Sequence, residues 1–179
     1  MLLRGMGRKF YPFFYNPLIK AMSTKNLSAY TGGSIPDVSQ KRFALVVSEW
    51  NSEVTEALYS GAADTLLSRG ALRQNLLRAN VPGSFELSLG AQWMARREDI
   101  DAVIALGCVI QGETRHFEFI CQAVAQGLSR VGLDSNKPVI FGVLTTDTLQ
   151  QALDRAGGKY GNKGDEAAIT AIKMLGFGS

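Results

Sequence analysis

The chain has 179 residues, of which 46% are hydrophobic and 20% are charged, proportions typical of one globular domain. No uninterrupted apolar stretch reaches the roughly 18–20 residues that a membrane-spanning helix needs. The net charge of +3 is unevenly spread, because residues 1–36 carry five basic and no acidic side chains. The remainder is nearly neutral, which argues against the basic footprint of a nucleic-acid-binding protein.

Residues 1–41 are predicted to be an N-terminal extension and linker, partly disordered, and residues 42–179 the folded domain. The stretch 10–17 is aromatic but interrupted by prolines and an asparagine, a composition unsuited to the apolar core of a secretory signal. Gly32 and Pro36 indicate a linker leading into the domain.

The chain's single histidine, His116, and its two cysteines are dispersed along the sequence. They cannot assemble a zinc-type ligand set, so no metal site is expected. Cys108 and Cys121 are interpreted as buried small hydrophobic residues. Reduced thiols favour a cytoplasmic location.

From residue 42 onward, short β-branched runs alternate with segments of helical periodicity. The predicted strands are 43–47, 75–81, 102–109 and 139–144. The predicted helices are 54–70, 82–95, 114–132, 145–156 and 165–175, with N-cap chemistry at 145–147 and a tight linker over 157–164. This alternation implies right-handed crossovers and a parallel sheet covered on both faces. The sequence therefore predicts an α/β fold, a flavodoxin-like three-layer sandwich with a four-stranded parallel sheet.

Chemically versatile residues collect at the carboxyl ends of these strands, where ligands bind in open parallel sheets. The four strand ends are 50–51, 84–86, 108–116 and 141–145. They supply aromatic rings that can stack on a flat ligand, a carboxylate, and glycines that precede a helix start suited to an anion. They also supply His116, which can transfer protons near neutral pH. The combination predicts an enzyme with an anion site beside a proton shuttle.

Each of these residues also has a purely structural interpretation. Trp50 and Phe85 can cap the core, and Glu86 can complement a helix dipole. His116 can be a solvated first-turn residue, and the turn at 112–114 can simply join strand to helix. Arg155, Lys159 and Lys163 can likewise form a solvated basic surface. Convergence on one edge of the sheet favours the functional interpretation.

The common phosphate fingerprints are absent from the sequence. No G-x-G-x-x-G follows a strand and no G-x-x-x-x-G-K-[ST] occurs, which disfavours dinucleotide and P-loop chemistry. A flavodoxin-type electron carrier is disfavoured as well, because residues 48–53, after the first strand, are acidic.

Five segments in order resemble the 6,7-dimethyl-8-ribityllumazine synthase family, and the likeness covers about residues 42–177. They are VSEWN at 47–51, VPGSFE at 81–86, GCVIQGETRHF at 107–117, FGVLT at 141–145, and the stretch from RAG at 155 to GNKG at 164. The resemblance implies a transferase that joins 5-amino-6-(D-ribitylamino)uracil to 3,4-dihydroxy-2-butanone 4-phosphate and releases phosphate and water. This is the penultimate step of riboflavin biosynthesis, and it uses neither a metal nor an organic cofactor.

The resemblance also implies roles for individual residues. Binding of the pyrimidine ring and ribityl chain falls to Trp50, Asn51, Ser84, Phe85, Glu86, Cys108, Val109 and Ile110, with Phe141 reaching in from a neighbouring subunit. Binding of the butanone phosphate falls to the backbone of Glu113 and Thr114 and to the side chains of Arg155 and Lys163. His116 is implied as the catalytic proton-transfer residue.

Three positions depart from the family pattern. Ser88 replaces a frequent proline, Glu113 places a carboxylate beside the expected phosphate, and Glu166 stands where aspartate is usual.

The resemblance further implies a homopentamer, which in some members assembles into decamers or icosahedral shells of sixty subunits, and riboflavin synthase as a partner. Neither nucleic acid nor a membrane is an expected partner. Two alternatives stay open: the related archaeal type of riboflavin synthase, and a non-catalytic binder or shell protein of the same fold.

Overall fold

The computed structural model describes residues 35–178. Most of the predicted N-terminal extension, residues 1–34, lies outside the described residues, as does residue 179, so the division into extension and domain remains a prediction. Within the described part, chain packing begins before residue 42. Val38 is fully buried in the core, and Pro36 lies against Gly176 near the end of the last helix.

The central sheet has four parallel strands in the order β2-β1-β3-β4. The strands are β1 (Phe43–Ser48), β2 (Leu76–Val81), β3 (Ala102–Ile110) and β4 (Val139–Thr146). The helices are α1 (Ser52–Ser68), α2 (Leu87–Ala95), α3 (His116–Ser135), α4 (Leu149–Asp154) and α5 (Lys163–Phe177), and a small antiparallel hairpin, β5 (Ala156–Gly158) with β6 (Gly161–Asn162), precedes α5. The predicted α/β class and four-stranded parallel sheet are confirmed.

Alternation along the buried strands divides the core into two layers. On β1, Phe43, Leu45 and Val47 pack with the residues of α1 and α5, whereas Ala44 and Val46 pack with those of α2 and α3. Because successive side chains of a strand point to opposite faces, a strand buried on both faces is apolar at nearly every position, as the sequence of β1 is. The result is the predicted three-layer sandwich.

Several predicted boundaries are wrong. The expected N-cap at 145–147 fails because β4 continues through Thr146, which pairs with Ile110 of β3. The cap is instead Thr148, whose hydroxyl accepts the Gln151 N–H. The predicted helix start at residue 82 is a turn, and α2 begins at Leu87.

The predicted linker over 157–164 is also wrong, because most of it forms the β5–β6 hairpin. Gly157 and Gly161 adopt positive φ angles of 101° and 83°, which glycine tolerates without strain. The Asn162 side chain then accepts the Gly164 N–H at 2.8 Å and starts α5 two residues earlier than expected. A Cβ on Gly164 would overlap the carbonyl oxygen of Leu58, so this glycine allows α5 to approach α1 closely.

The bounds of α3 are shifted as well. This helix begins at His116 rather than at Thr114, and it continues past Gly132 to Ser135, after which Asn136 takes the left-handed conformation. Among residues 35–178, no helix combines the length and apolar character needed to cross a membrane.

Candidate active site

The carbonyl of Cys108 is the point at which the ends of three strands meet. The last pair between β1 and β3 is Val47 with Leu106, and β3 then extends beyond the end of β1. There the Cys108 carbonyl accepts from Asn51 Nδ2 at 3.0 Å and from Ser84 Oγ at 3.3 Å. Side chains from the segments after β1 and β2 are thus fixed on the backbone of β3.

Trp50 lies over the turn that follows β2. Its backbone N–H donates to the Pro82 carbonyl at 3.1 Å, and a Cβ on Gly83 would lie 2.7 Å from Trp50 Cε3, so the indole packs on this glycine. The Gly83 N–H donates to the Glu86 carboxylate at 3.1 Å. Trp50 is 67% exposed and Phe85 55% exposed, so both rings remain available to a ligand.

Gly107 makes room for this arrangement. A Cβ at this position would lie 2.7 Å from Leu87 Cδ1, 2.8 Å from Ser84 Oγ and 3.3 Å from Ser48 Oγ. Ser48 is fully buried, and its hydroxyl has no hydrogen-bond partner within the described part of the chain. The absence of a side chain at residue 107 therefore allows Ser84 to reach the Cys108 carbonyl.

The turn between β3 and α3 presents free backbone donors. The N–H groups of Gly112, Glu113 and Thr114 form no hydrogen bond to another residue of the 35–178 range, whereas the His116 N–H donates to Thr114 Oγ1 at 3.4 Å. Consecutive unpaired donors before a 20-residue helix suit an anion. The side chains of Glu113 and His116 are exposed and have no described partner.

Arg155 and Lys163 are held together by one buried carboxylate. Arg155 Nη2 and Lys163 Nζ each lie 3.0 Å from a different oxygen of Glu166, whose side chain is 5% exposed. Arg155 Nη1 also donates to the Tyr160 carbonyl at 3.4 Å. One carboxylate thus bridges the two cations.

This cluster opens onto a pocket of about 340 Å³ between the end of β4, α4 and the β5–β6 hairpin, which we call the cationic pocket. The pocket is lined by Val143, Leu144, Thr145, Thr146, Gln151, Arg155, Tyr160 and Lys163. Because β4 ends beside β3, with Gln111 N–H donating to the Thr146 carbonyl at 2.8 Å, the pocket lies at the same edge of the sheet as the 112–116 turn. Arg155 and Lys163 in its lining are side chains that suit a phosphate group.

The prediction that Phe141 lies at a carboxyl end is wrong, because β4 continues five residues beyond it to Thr146. It pairs with Ala105 in the middle of β4 and lines a groove of about 820 Å³ that α3 and α5 form along the outer edge of the sheet. Leu133 and Phe177, which also line this groove, are largely exposed. Phe141 is therefore placed to contact a molecule outside the chain.

The Cys108 side chain is poorly suited to act as a nucleophile, because its thiol is buried. Burial raises the pKa of the thiol to about 11, so it is protonated near neutral pH, whereas the backbone carbonyl of the same residue accepts hydrogen bonds from Asn51 and Ser84. Val109 and Ile110 continue β3 as half-buried residues paired with Thr145 and Thr146. Across residues 35–178, no three His, Cys, Asp or Glu side chains are grouped as a metal site requires.

Two residues that line the cationic pocket, Gln151 and Tyr160, are not predicted from the sequence. The spacing Thr148-x-x-Gln151 is a capping-box pattern and could have located the start of α4. No sequence pattern indicates the position of Tyr160, because it lies in a hairpin whose glycine-rich sequence is also typical of a linker.

Comparison with known proteins gives one consistent result. The profile of the 6,7-dimethyl-8-ribityllumazine synthase family matches residues 40–177. A protein from Cytophaga hutchinsonii is 66% identical over 151 residues, which cover 84% of this chain and 94% of the relative. Relatives from Parabacteroides distasonis and Flavobacterium johnsoniae are each 52% identical, over 88% and 86% of this chain and 98% and 81% of their own lengths. All three carry the name 6,7-dimethyl-8-ribityllumazine synthase.

Proposed function

The chain belongs to the 6,7-dimethyl-8-ribityllumazine synthase family, transferases of riboflavin biosynthesis, and we propose that its strand ends form the site of the condensation. The reaction joins 5-amino-6-(D-ribitylamino)uracil to 3,4-dihydroxy-2-butanone 4-phosphate. It yields 6,7-dimethyl-8-ribityllumazine, inorganic phosphate and two molecules of water. The observation that supports this location best is the convergence of Asn51 and Ser84 on the Cys108 carbonyl beneath an exposed Trp50.

In this proposal the pyrimidine substrate binds over β1, β2 and β3. Its ring stacks on the open face of Trp50, and the backbone of Cys108, Val109 and Ile110 contacts its polar edge. Phe85 flanks the ribityl chain, whose hydroxyls donate to the Glu86 carboxylate. Support comes from the fixed positions of Asn51 and Ser84 and from the exposure of both aromatic rings.

The four-carbon phosphate binds between the 112–116 turn and the cationic pocket. The free N–H groups of Glu113 and Thr114 face one side of the phosphate, and Arg155 and Lys163 face the other. Glu166 holds the two cations in place. Glu113 serves through its backbone, and its carboxylate, which no described residue binds, points away from the anion.

The chemistry then consists of proton transfers between two positioned substrates. The amino group of the pyrimidine attacks the ketone, and loss of water gives an imine. Loss of a proton and of phosphate gives an enol, which becomes a ketone, and the ribitylamino nitrogen closes the second ring with loss of the second water. His116 moves these protons as general acid and base, and holding both substrates in one site supplies the rest of the acceleration.

We place the enzyme in a homopentamer in the cytoplasm. The exposed Leu133, Phe177 and Phe141 along the groove beside β4 support an interface there, since contiguous apolar surface of this kind marks contacts between proteins. The neighbour's Phe141 then completes the site.

The expected mass in solution is five times the 19.4 kDa of one chain, or a multiple of that for a decamer or icosahedral shell, and sedimentation velocity measures it. Riboflavin synthase, which consumes the product, is the proposed partner.

A direct assay separates this function from its two rivals. The purified protein is mixed with both substrates, and the fluorescence of the product is followed. The account predicts formation of lumazine. A protein that instead consumes added lumazine and forms riboflavin is the archaeal type of riboflavin synthase, and a protein that does neither is a non-catalytic relative.

A further inference from the structure

The cationic pocket contains a third polar side chain, Gln151, whose position is fixed by two hydrogen bonds. Its backbone N–H donates to Thr148 Oγ1 at 3.2 Å, and its side-chain Oε1 accepts the Asp147 N–H at 2.9 Å. The residue lines the pocket together with Arg155 and Lys163. These bonds resemble a capping box, in which a side chain from the first turn reaches back to the backbone at the helix start.

The bond to Asp147 determines which way the amide of Gln151 faces. A glutamine amide has an acceptor oxygen at one end and two N–H donors at the other. The opposite orientation would place the donors of Nε2 against another donor, the Asp147 N–H. Nε2 therefore lies on the side away from Asp147, and it has no hydrogen-bond partner within the described part of the chain.

We propose that Gln151 is a further substrate-binding residue, which donates through Nε2 to the phosphate of the four-carbon substrate. The inference rests on the proposed function of the pocket. Arg155 and Lys163 each give a donor to Glu166, whereas the phosphate has three terminal oxygens that accept hydrogen bonds. The neutral amide of Gln151 adds hydrogen-bond donors to the pocket without changing its charge.

The rival interpretation is that Gln151 only caps α4. Gln151→Glu separates the two roles, because glutamate keeps the acceptor for the Asp147 N–H but replaces both donors with a negatively charged oxygen. Gln150→Glu is the matched control. It adds the same charge one position away, at a residue that does not line the pocket and whose Nε2 donates to Asp154.

For Gln151→Glu we expect the KM for the butanone phosphate to rise about tenfold or more, the scale of a lost hydrogen bond to a charged group. The KM for the pyrimidine and the melting temperature should stay close to those of the parent. Gln151→Ala removes the donors without adding charge and should raise the KM for the butanone phosphate about fivefold. Because this variant also loses the acceptor for the Asp147 N–H, its melting temperature should fall, and it is assayed well below that temperature. Equal KM values for Gln151→Glu and Gln150→Glu, or a parental KM in Gln151→Ala, would overturn the proposal.

Titration with inorganic phosphate, followed by ³¹P NMR, keeps this test distinct from that of the enzymatic function. The proposal predicts that the parent and Gln150→Glu bind phosphate with the same affinity and that Gln151→Glu binds it more weakly by a similar factor of about ten. Absence of lumazine formation by the parent refutes the proposed function, whereas equal phosphate affinity in all three proteins refutes the role of Gln151.

Discussion

Substitution of Gly107 by alanine tests how closely Leu87 and Ser84 pack around this glycine at the candidate site. The new Cβ would lie 2.7 Å from Leu87 Cδ1 and 2.8 Å from Ser84 Oγ, well inside ordinary contact distance. Gly107 does not have a positive φ, so the cost comes from packing rather than from backbone strain. Leu87 is fully buried, so both its Cδ1 and the Ser84 hydroxyl must shift to admit the new methyl group.

The magnitude follows from these two contacts. Overpacking of a filled core typically costs about 1–3 kcal/mol, and the displaced Ser84 also loses its 3.3 Å hydrogen bond to the Cys108 carbonyl. We expect a loss of about 2 kcal/mol in the free energy of unfolding, which lowers the melting temperature of a domain of this size by roughly 4–8 °C. The KM for the pyrimidine should rise several-fold, because Ser84 no longer occupies its place in the proposed pyrimidine site.

Gly112→Ala is the control, because a Cβ at Gly112 meets no atom within 4 Å. Both variants are melted by circular dichroism at one protein concentration, and both are assayed for the KM of the pyrimidine. If Gly107→Ala melts and binds the pyrimidine as Gly112→Ala does, the described packing around Gly107 is wrong.

Three further predictions address the chemistry, the anion pocket and the core. His116→Ala should lower kcat about a hundredfold with little change in either KM, and equal turnover of variant and parent would refute the catalytic role. Arg155→Ala should raise the KM for the butanone phosphate about tenfold or more and spare that for the pyrimidine; similar changes in both would contradict a phosphate-specific role. Because burial raises the pKa of Cys108 to about 11, the folded state holds this proton after the unfolded chain has lost it. This proton's contribution to the free energy of unfolding is complete below about pH 9 and is lost between about pH 9 and 11, by up to about 1.4 kcal/mol per pH unit. The melting temperature of Cys108→Ala should therefore fall less steeply than that of the parent over this pH range.

The sequence was sufficient to predict the layers of the fold because the strands are buried on both faces. Continuous apolar runs such as that of β1, separated by helical periodicity, permit few arrangements other than a covered parallel sheet. The ends of the elements were harder to predict. The length of β4 depends on its pairing with β3 as far as Thr146, and this non-local contact overrides the local capping signal at 145–147.

The candidate site was only partly predictable, for a similar reason. Residues next to strand ends, such as Trp50 and Ser84, could be assigned to one edge from topology alone. The buried link from Glu166 to Arg155 and Lys163 depends on how the β5–β6 hairpin places Arg155 beside α5, and two positive-φ glycines set that geometry. The sequence does not indicate a role for Gln151, because that role depends on the hydrogen bond from the Asp147 N–H that orients its amide.

We propose that one site at the carboxyl ends of the strands joins the two substrates, with His116 as the proton-transfer residue. The most direct measurement follows lumazine and inorganic phosphate together when the parent and His116→Ala are each mixed with both substrates. The account predicts equal molar amounts of the two products from the parent and a much slower appearance of both from the variant. Lumazine formed at the same rate by both proteins, or no lumazine from the parent, would contradict it.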